Sequence, residues 1–192
     1  RRTILGRNNA ILGSPIVGSR EVMADFIEDL QLNFVSNTNL FVGMNGSRNV
    51  KIINPSTNEL KGSIADTFYT SALAFDGEDL LYAGANSNHG IKTLNPSTRL
   101  RTEKTIGPGY VSSLAFDSEG RLYAGIFQTN FIGTRKDIQI IDPSDGTIIG
   151  TISGTPNTQA LAFNSLGQLY VGGVGNIKII NPLTKATIGT IP

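Results

Sequence analysis

The chain repeats one template four times, and a period of this kind constrains the fold more than any single residue does. The template reads Leu32-Asn33-Phe34, Leu40-Phe41-Val42-Gly43 and Ile52-Ile53-Asn54-Pro55 in its first copy. The second has Leu73-Ala74-Phe75, Leu81-Tyr82-Ala83-Gly84 and Thr93-Leu94-Asn95-Pro96. The third has Leu114-Ala115-Phe116, Leu122-Tyr123-Ala124-Gly125 and Ile140-Ile141-Asp142-Pro143, and the fourth Leu161-Ala162-Phe163, Leu169-Tyr170-Val171-Gly172 and Ile179-Ile180-Asn181-Pro182. The leading Phe recurs after 41, 41 and 47 residues, and a second aromatic follows it by seven in every copy. Between the two lie turn formers such as Asp76-Gly77-Glu78-Asp79 and Asn164-Ser165-Leu166-Gly167, which predicts a β-hairpin. The third segment spans Val50–Ile53, Ile91–Leu94, Ile138–Ile141 and Ile177–Ile180. Each ends at Asn-Pro or Asp-Pro, where pairing stops and a turn begins. A fourth segment of alternating Thr, Ile and Gly follows at Lys61–Ala65, Glu103–Ile106, Thr147–Ile152 and Ala186–Thr190.

Four short antiparallel strands in a unit of about 40 to 50 residues make the blade of a β-propeller. One blade alone leaves both faces of its sheet in water. Packing against neighbours around a ring buries them, and closing the ring removes the open ends. The Leu and Phe of the first strand and the aromatic of the second are therefore expected between blades. The expected fold is all-β: a β-propeller of four-stranded antiparallel blades at 30–66, 67–107, 108–154 and 155–192, with a partial blade at 1–29. The run Leu114-Ala115-Phe116-Asp117-Ser118-Glu119-Gly120-Arg121-Leu122-Tyr123-Ala124-Gly125, followed by Ile138-Gln139-Ile140-Ile141-Asp142-Pro143, resembles the YVTN/NHL type of propeller repeat. The resemblance covers nearly all of residues 30–192. It implies architecture and says little of activity, because such propellers serve as binding platforms, adhesion modules and occasional lactonases.

The first thirty residues read in two ways. Val22, Met23, Phe26, Ile27 and Leu30 fall on one helical face, with Glu21, Asp25, Glu28 and Asp29 opposite. The repeat instead aligns Asp25 with Asp66, Gly107 and Gly154, each nine residues before its Phe. Ile4-Leu5-Gly6, Ala10-Ile11-Leu12 and Ser14-Pro15 imitate a second strand, a third strand and its turn. The strand reading is preferred over helix at 19–30. It makes residues 1–25 the last three strands of an incomplete blade, and a five-bladed ring the expected closure. Residue 192 ends a fourth strand, so that end does not supply the first strand of the incomplete blade. A four-bladed ring plugged by the N-terminus and a larger ring completed by another copy are the alternatives; the last would make a homo-oligomer through the incomplete blade.

At 192 residues the chain has the size of one domain. Its formal charge is +1, from 16 basic and 15 acidic residues that are interleaved, which argues against a nucleic-acid partner. No apolar run is long enough to span a membrane. The absence of Cys excludes disulfides, thiolate nucleophiles and cysteine metal sites, and leaves the compartment open, with an extracellular or secreted setting preferred. The single histidine, His89, excludes a multi-histidine zinc site and sits in the turn Asn86–Gly90, where a solvated side chain is expected rather than a triad base. Asp76, Glu78, Asp79, Asp117 and Glu119 recur at the first hairpin turn, where such residues bond the backbone; a Ca²⁺ site needs about six converging oxygens. Gluconolactonase-like propellers hold a metal with carboxylate and Asn in the channel. Here the channel-side strand starts are Leu30-Gln31, Ser71-Ala72, Ser112-Ser113 and Gln159-Ala160, with only Glu28 and Asp29 nearby to offer charge. Gly172-Gly173-Val174-Gly175 precedes a strand, not the helix a phosphate loop needs. No cofactor or metal is expected.

In a propeller the fourth-to-first and second-to-third loops emerge on one face, and loops on a rigid scaffold are where recognition concentrates. The alignment places Tyr69, Tyr110 and Asn157 together, six residues before the Phe. The second-to-third loops bring Asn45 and Arg48, then Asn86, Asn88 and His89, then Asn176. The third copy carries an insertion with Asn130, Phe131 and Arg135. Flat aromatics with amides suit a polar ligand. The expected function is a non-enzymatic binding or assembly module for a glycan, peptide or protein partner, a lectin among the candidates, with no nucleic acid and no membrane insertion. A propeller lactonase or hydrolase with a metal in the channel, and a structural unit completed by strand exchange with another chain, are the alternatives.

Overall fold

The computed structural model describes residues 39–126 and 137–192, apart from 45, 156, 157 and 174. The expectations for residues 1–29, for helix or strand at 19–30 and for the first strand of the first repeat lie outside these residues. So do Asn45, Asn130, Phe131, Arg135 and Asn157.

The described residues are all-β, with no helix among them. Sheet I comprises β1 (Leu40–Val42), β2 (Val50–Asn54) and β3 (Glu59–Ile64). Sheet II comprises β4 (Thr70–Phe75), β5 (Leu81–Ala85), β6 (Ile91–Asn95) and β7 (Leu100–Ile106). Sheet III comprises β8 (Val111–Phe116), β9 (Leu122–Ile126), β10 (Ile138–Ile141) and β11 (Ile148–Ile152). Sheet IV comprises β12 (Ala160–Phe163), β13 (Leu169–Gly172), β14 (Ile177–Ile180) and β15 (Thr187–Ile191). Every sheet is an antiparallel meander in chain order, and successive sheets stack as in a propeller-like fold.

The turns explain why the strands stop where they do. In the first hairpin turn Asp76 Oδ1 accepts from the N–H groups of Glu78 and Leu80 at 2.8 and 2.9 Å. Asp117 does the same for Glu119 and Arg121, and Asn164 for Leu166 and Gln168. The residue three places on is left-handed in each: Asp79, Gly120 and Gly167. The turn between third and fourth strands is capped likewise by Asn54, Asn95, Asp142 and Asn181. Asx side chains that bond the backbone two residues on replace the ladder there.

The fourth strands of sheets I and II differ from expectation. They begin at Glu59 and Leu100, not at Lys61 and Glu103, and the third strands include Asn54 and Asn95. Asn54 pairs with Glu59 and Asn95 with Leu100, because the residue before proline still has its own N–H. A register shift in every third-to-fourth pairing, such as that between Ile52 and Ile53, moves the alternation by one and hides this start in the sequence.

The core is three clusters, one at each junction between successive sheets. Val50, Ile52 and Ile64 of sheet I meet Leu81, Ala83 and Leu94 of sheet II. Tyr82, Ile91 and Ile106 of sheet II meet Val111, Leu122 and Ile141 of sheet III. Tyr123, Ile138, Ile140 and Ile152 of sheet III meet Leu169, Val171 and Ile180 of sheet IV. Each such Ile or Leu contributes about 1.5–3 kcal/mol on burial. Across every junction between the described sheets an aromatic of the second strand pairs edge-to-face with the next sheet's Phe: Phe41–Phe75 at 5.5 Å, Tyr82–Phe116 at 5.0 Å and Tyr123–Phe163 at 5.0 Å, with interplanar angles of 70–74°. Such edge-to-face pairs add about 0.5–1.5 kcal/mol beyond the area they bury.

Candidate binding face

The loops named above meet at the same junctions. The second-to-third loop of sheet I receives the loop that enters sheet II: Tyr69 N–H donates to Ser47 O at 3.0 Å and Thr67 N–H to Arg48 O at 2.8 Å. The second-to-third loop of sheet II holds both neighbours. Asn86 N–H donates to Tyr69 O at 3.0 Å, and Tyr110 N–H donates to Ser87 O at 2.6 Å. Tyr69 and Tyr110 therefore occupy equivalent places and share a left-handed backbone, with φ of +52° and +57°. That conformation costs a bulky residue of the order of 1–3 kcal/mol. The paired backbone groups hold it in place.

One residue passed over in the sequence organises the first of these junctions. Phe68, also left-handed at φ +45°, stacks its ring on His89 at 4.6 Å with an interplanar angle of 6°. The Arg48 guanidinium lies over the Phe68 ring at 4.9 Å. Ser87 Oγ and His89 Nδ1 are 2.7 Å apart. Three loops from two sheets are tied by one aromatic, and the cation over the ring contributes about 0.5–1 kcal/mol. The expectation of a solvated His89 is corrected: it is half-buried, because Phe68 covers one face of its ring. Phe68 is hard to find in the sequence, since the equivalent position in the next copy is Gly109, pressed against Asn88 and Ser87.

Tyr69 is 43% exposed beside this stack, and Arg48, Asn86 and Asn88 are exposed with it. Among the described residues no hydrogen bond is made by the side chains of Arg48, Asn86 or Asn88. The structure thus brings Arg48, Tyr69, Asn86, Asn88 and His89 together, with Tyr110 one junction further. Asn176 lies exposed in the corresponding loop of sheet IV, and no hydrogen bond among the described residues joins it to the group.

The serines expected at the channel have another task. Ser112 Oγ donates to Thr158 O at 2.6 Å and to Gly125 O at 3.0 Å. Ser71 Oγ does the same for Val111 O and Gly84 O. Each serine ties its first strand to the next. The carboxylates are also engaged: Asp117 Oδ2 pairs with Arg121 Nε at 2.7 Å, and Glu119 with the same guanidinium at 3.1 Å. No group of three or more His, Asp or Glu that could hold a metal occurs among the described residues. Burial pushes the Tyr82 and Tyr123 hydroxyls up to about 12, with Asp76 and Asp117 respectively adding to the effect.

The arrangement is similar to solved structures of distant sequence. Hydrazine synthase of Kuenenia stuttgartiensis matches with a TM-score of 0.65 and 15% identity, over 79% of this chain and 45% of that one. Two structures of the extracellular domain of BT4673 from B. thetaiotaomicron match with TM-scores of 0.58 and 0.56 at 14% identity, over 80% and 79% of this chain and 22% and 24% of those. The chain spans less than half the length of each, and at such identity the likeness is one of fold. No protein-family profile and no curated protein sequence matches the chain.

Proposed function

We propose that the chain is a non-enzymatic binding module whose polar ligand, a glycan, peptide or protein surface, lies across the loops at the junction of sheets I and II. The observation that carries this reading is the Arg48–Phe68–His89 stack with Tyr69 exposed at its side. Strained backbone held by neighbours, next to exposed amide and guanidinium groups, is the pattern of a preorganised recognition surface. A lectin role suits the flat Tyr69 ring and the Asn86 and Asn88 amides. The test is a glycan and peptide array probed with the whole chain, followed by affinity measurement for the strongest binder. Tyr69→Ala and Arg48→Ala should each weaken it by about tenfold, equivalent to about 1.4 kcal/mol. A binder indifferent to both places recognition elsewhere.

The finer architecture belongs to the same proposal. The repeat is of the YVTN/NHL type, and the sheets close as a five-bladed ring with residues 1–29 as the short blade. What supports it is the constancy of the step from sheet to sheet, with the same aromatic pair at three successive junctions. A scattering envelope of a curved open stack would refute closure.

A further inference from the structure

The repeat changes character at two turns of sheet IV, and both changes lie on one groove. The third residue of the first hairpin turn is Glu78 in sheet II and Glu119 in sheet III, but Leu166 in sheet IV. The residue after the proline of the other turn is Ser56, Ser97 and Ser144 in sheets I to III, but Leu183 in sheet IV. Neither turn asks for leucine. Each uses only the N–H group of that residue, which donates to Asn164 Oδ1 or Asn181 Oδ1. The side chains stand 80% and 71% exposed, above every other large apolar side chain among the described residues. A single surface leucine is ordinary; two on one groove mark a contact surface.

The groove lies between the first hairpin turn of sheet III and both turns of sheet IV, at the strand ends opposite the recognition loops. Its volume is about 290 Å³. That is just under the roughly 300 Å³ at which ligand clefts begin, so it suits a short segment rather than a large cofactor. Leu166, Leu183 and Ile188 give it apolar lining, and Arg121, Gln168 and Asn181 give it polar lining. The fold decides what the polar groups can offer. Gln168 Oε1 accepts from Asn164 Nδ2 at 2.8 Å, and Asn181 Oδ1 accepts from the Leu183 and Thr184 N–H groups at 2.9 and 3.2 Å. Arg121 commits Nε to Asp117 and Nη1 to Glu119. Left over are two amide NH2 groups and one guanidinium nitrogen, and no hydrogen bond among the described residues uses them.

All three leftovers are donors, so the occupant supplies acceptors. These need not be charged, because Asp117 and Glu119 already balance the guanidinium. A polyanion would meet two carboxylates for one cation, and like charges across an interface are costly. A sugar has acceptors but no bulky apolar group to cover two leucines. An extended polypeptide has both, with a carbonyl at every residue and side chains that alternate from face to face. We infer that this groove is a docking site for a short extended segment of a partner protein. An apolar side chain of that segment packs against Leu166 and Leu183, and its carbonyl groups accept from the Gln168 and Asn181 amides. The inference is independent of the loop face, which lies at the other ends of the strands.

The probe is a displayed library of short random peptides, selected on the whole chain and counter-selected on the Leu166→Glu, Leu183→Ser double variant. Both substitutions restore residues that the other sheets carry at the same places, so the variant should keep the parent melting temperature. Enriched peptides should carry bulky apolar residues. The strongest, labelled with fluorescein, should bind the parent chain at least about tenfold more tightly than the double variant. Gln168→Glu keeps the size and the bond from Asn164 but turns the NH2 donor into a carboxylate oxygen, and should weaken binding by a similar factor. Leu166→Met should bind as the parent does. No enrichment over the double variant, enrichment of acidic peptides, or equal affinity for the Gln168→Glu chain overturns the inference. None of these results touches ligand binding that responds to Tyr69→Ala.

Discussion

The same substitution at two equivalent glycines should have opposite effects. In Gly84→Ala the new Cβ lies 2.5 Å from Val111 Cγ1 and 2.8 Å from Val111 Cβ, about 1 Å inside the ordinary carbon–carbon contact of roughly 3.5–4.0 Å. Val111 cannot yield: it is 0% exposed and its branched side chain has little rotamer freedom. Overpacking of this kind costs about 1–3 kcal/mol. In Gly172→Ala the closest approach among the described residues is 3.4 Å, an ordinary contact. Only the loss of unfolded-state freedom then counts, and it stabilises by about 0.4–1 kcal/mol. The gain in the unfolded state is common to both, so the two variants should differ by the overpacking cost, about 1–3 kcal/mol. With a urea slope of about 2 kcal/mol per molar, their midpoints separate by about 0.5–1.5 M. Far-ultraviolet circular dichroism can follow the transition, as can tyrosine fluorescence in a chain without Trp. Equal midpoints would show that Gly172 is as closely packed as Gly84, and the reasoning from their neighbours would fall.

Two further outcomes follow from the geometry. Ser112→Ala removes both bonds from Oγ to the carbonyls of Gly125 and Thr158 and should cost about 1 kcal/mol in a denaturation midpoint, while Gln159→Ala at the equivalent place should be near neutral. Raising the pH should destabilise the chain between about 10 and 12. Tyr82 and Tyr123 hold their protons to about 12 when folded, whereas an unfolded tyrosine releases its proton near 10, so the stabilisation is full below 10 and lost as pH climbs to 12. Absorbance at about 295 nm should show Tyr82 and Tyr123 titrating late; their ionisation near 10 would refute their burial.

What was legible in the sequence is what local chemistry enforces. Asp76, Asp117 and Asn164 announce their turns because an Asx side chain has few better uses than the two N–H groups it takes. The alignment of Asp66 with Gly107 and Gly154 anticipates a shared backbone state: all three are left-handed. What was illegible depends on neighbours across a junction. The partners of Ser71 and Ser112 were not foreseen, because nothing along the chain reveals that a carbonyl of the next sheet stands opposite each hydroxyl. Phe68 reads as loop filler beside Tyr69 until Arg48 and His89 stack against its ring. Of the candidate face, the residues at the first junction were identified by period alone. Their centre was not, because the period breaks there.

The recurrent shift in register between third and fourth strands bears on how such sheets avoid sticking together. Each outermost strand has an unpaired row of backbone groups, and Leu60, Leu100, Ile149 and Ile188 stand more than half exposed along these rims. A flat rim with that composition would recruit further strands side by side. The bulge bends every rim at the same place, and Lys61, Arg101 and Lys104 add charge along two of them. Sideways growth is thereby discouraged on all four sheets.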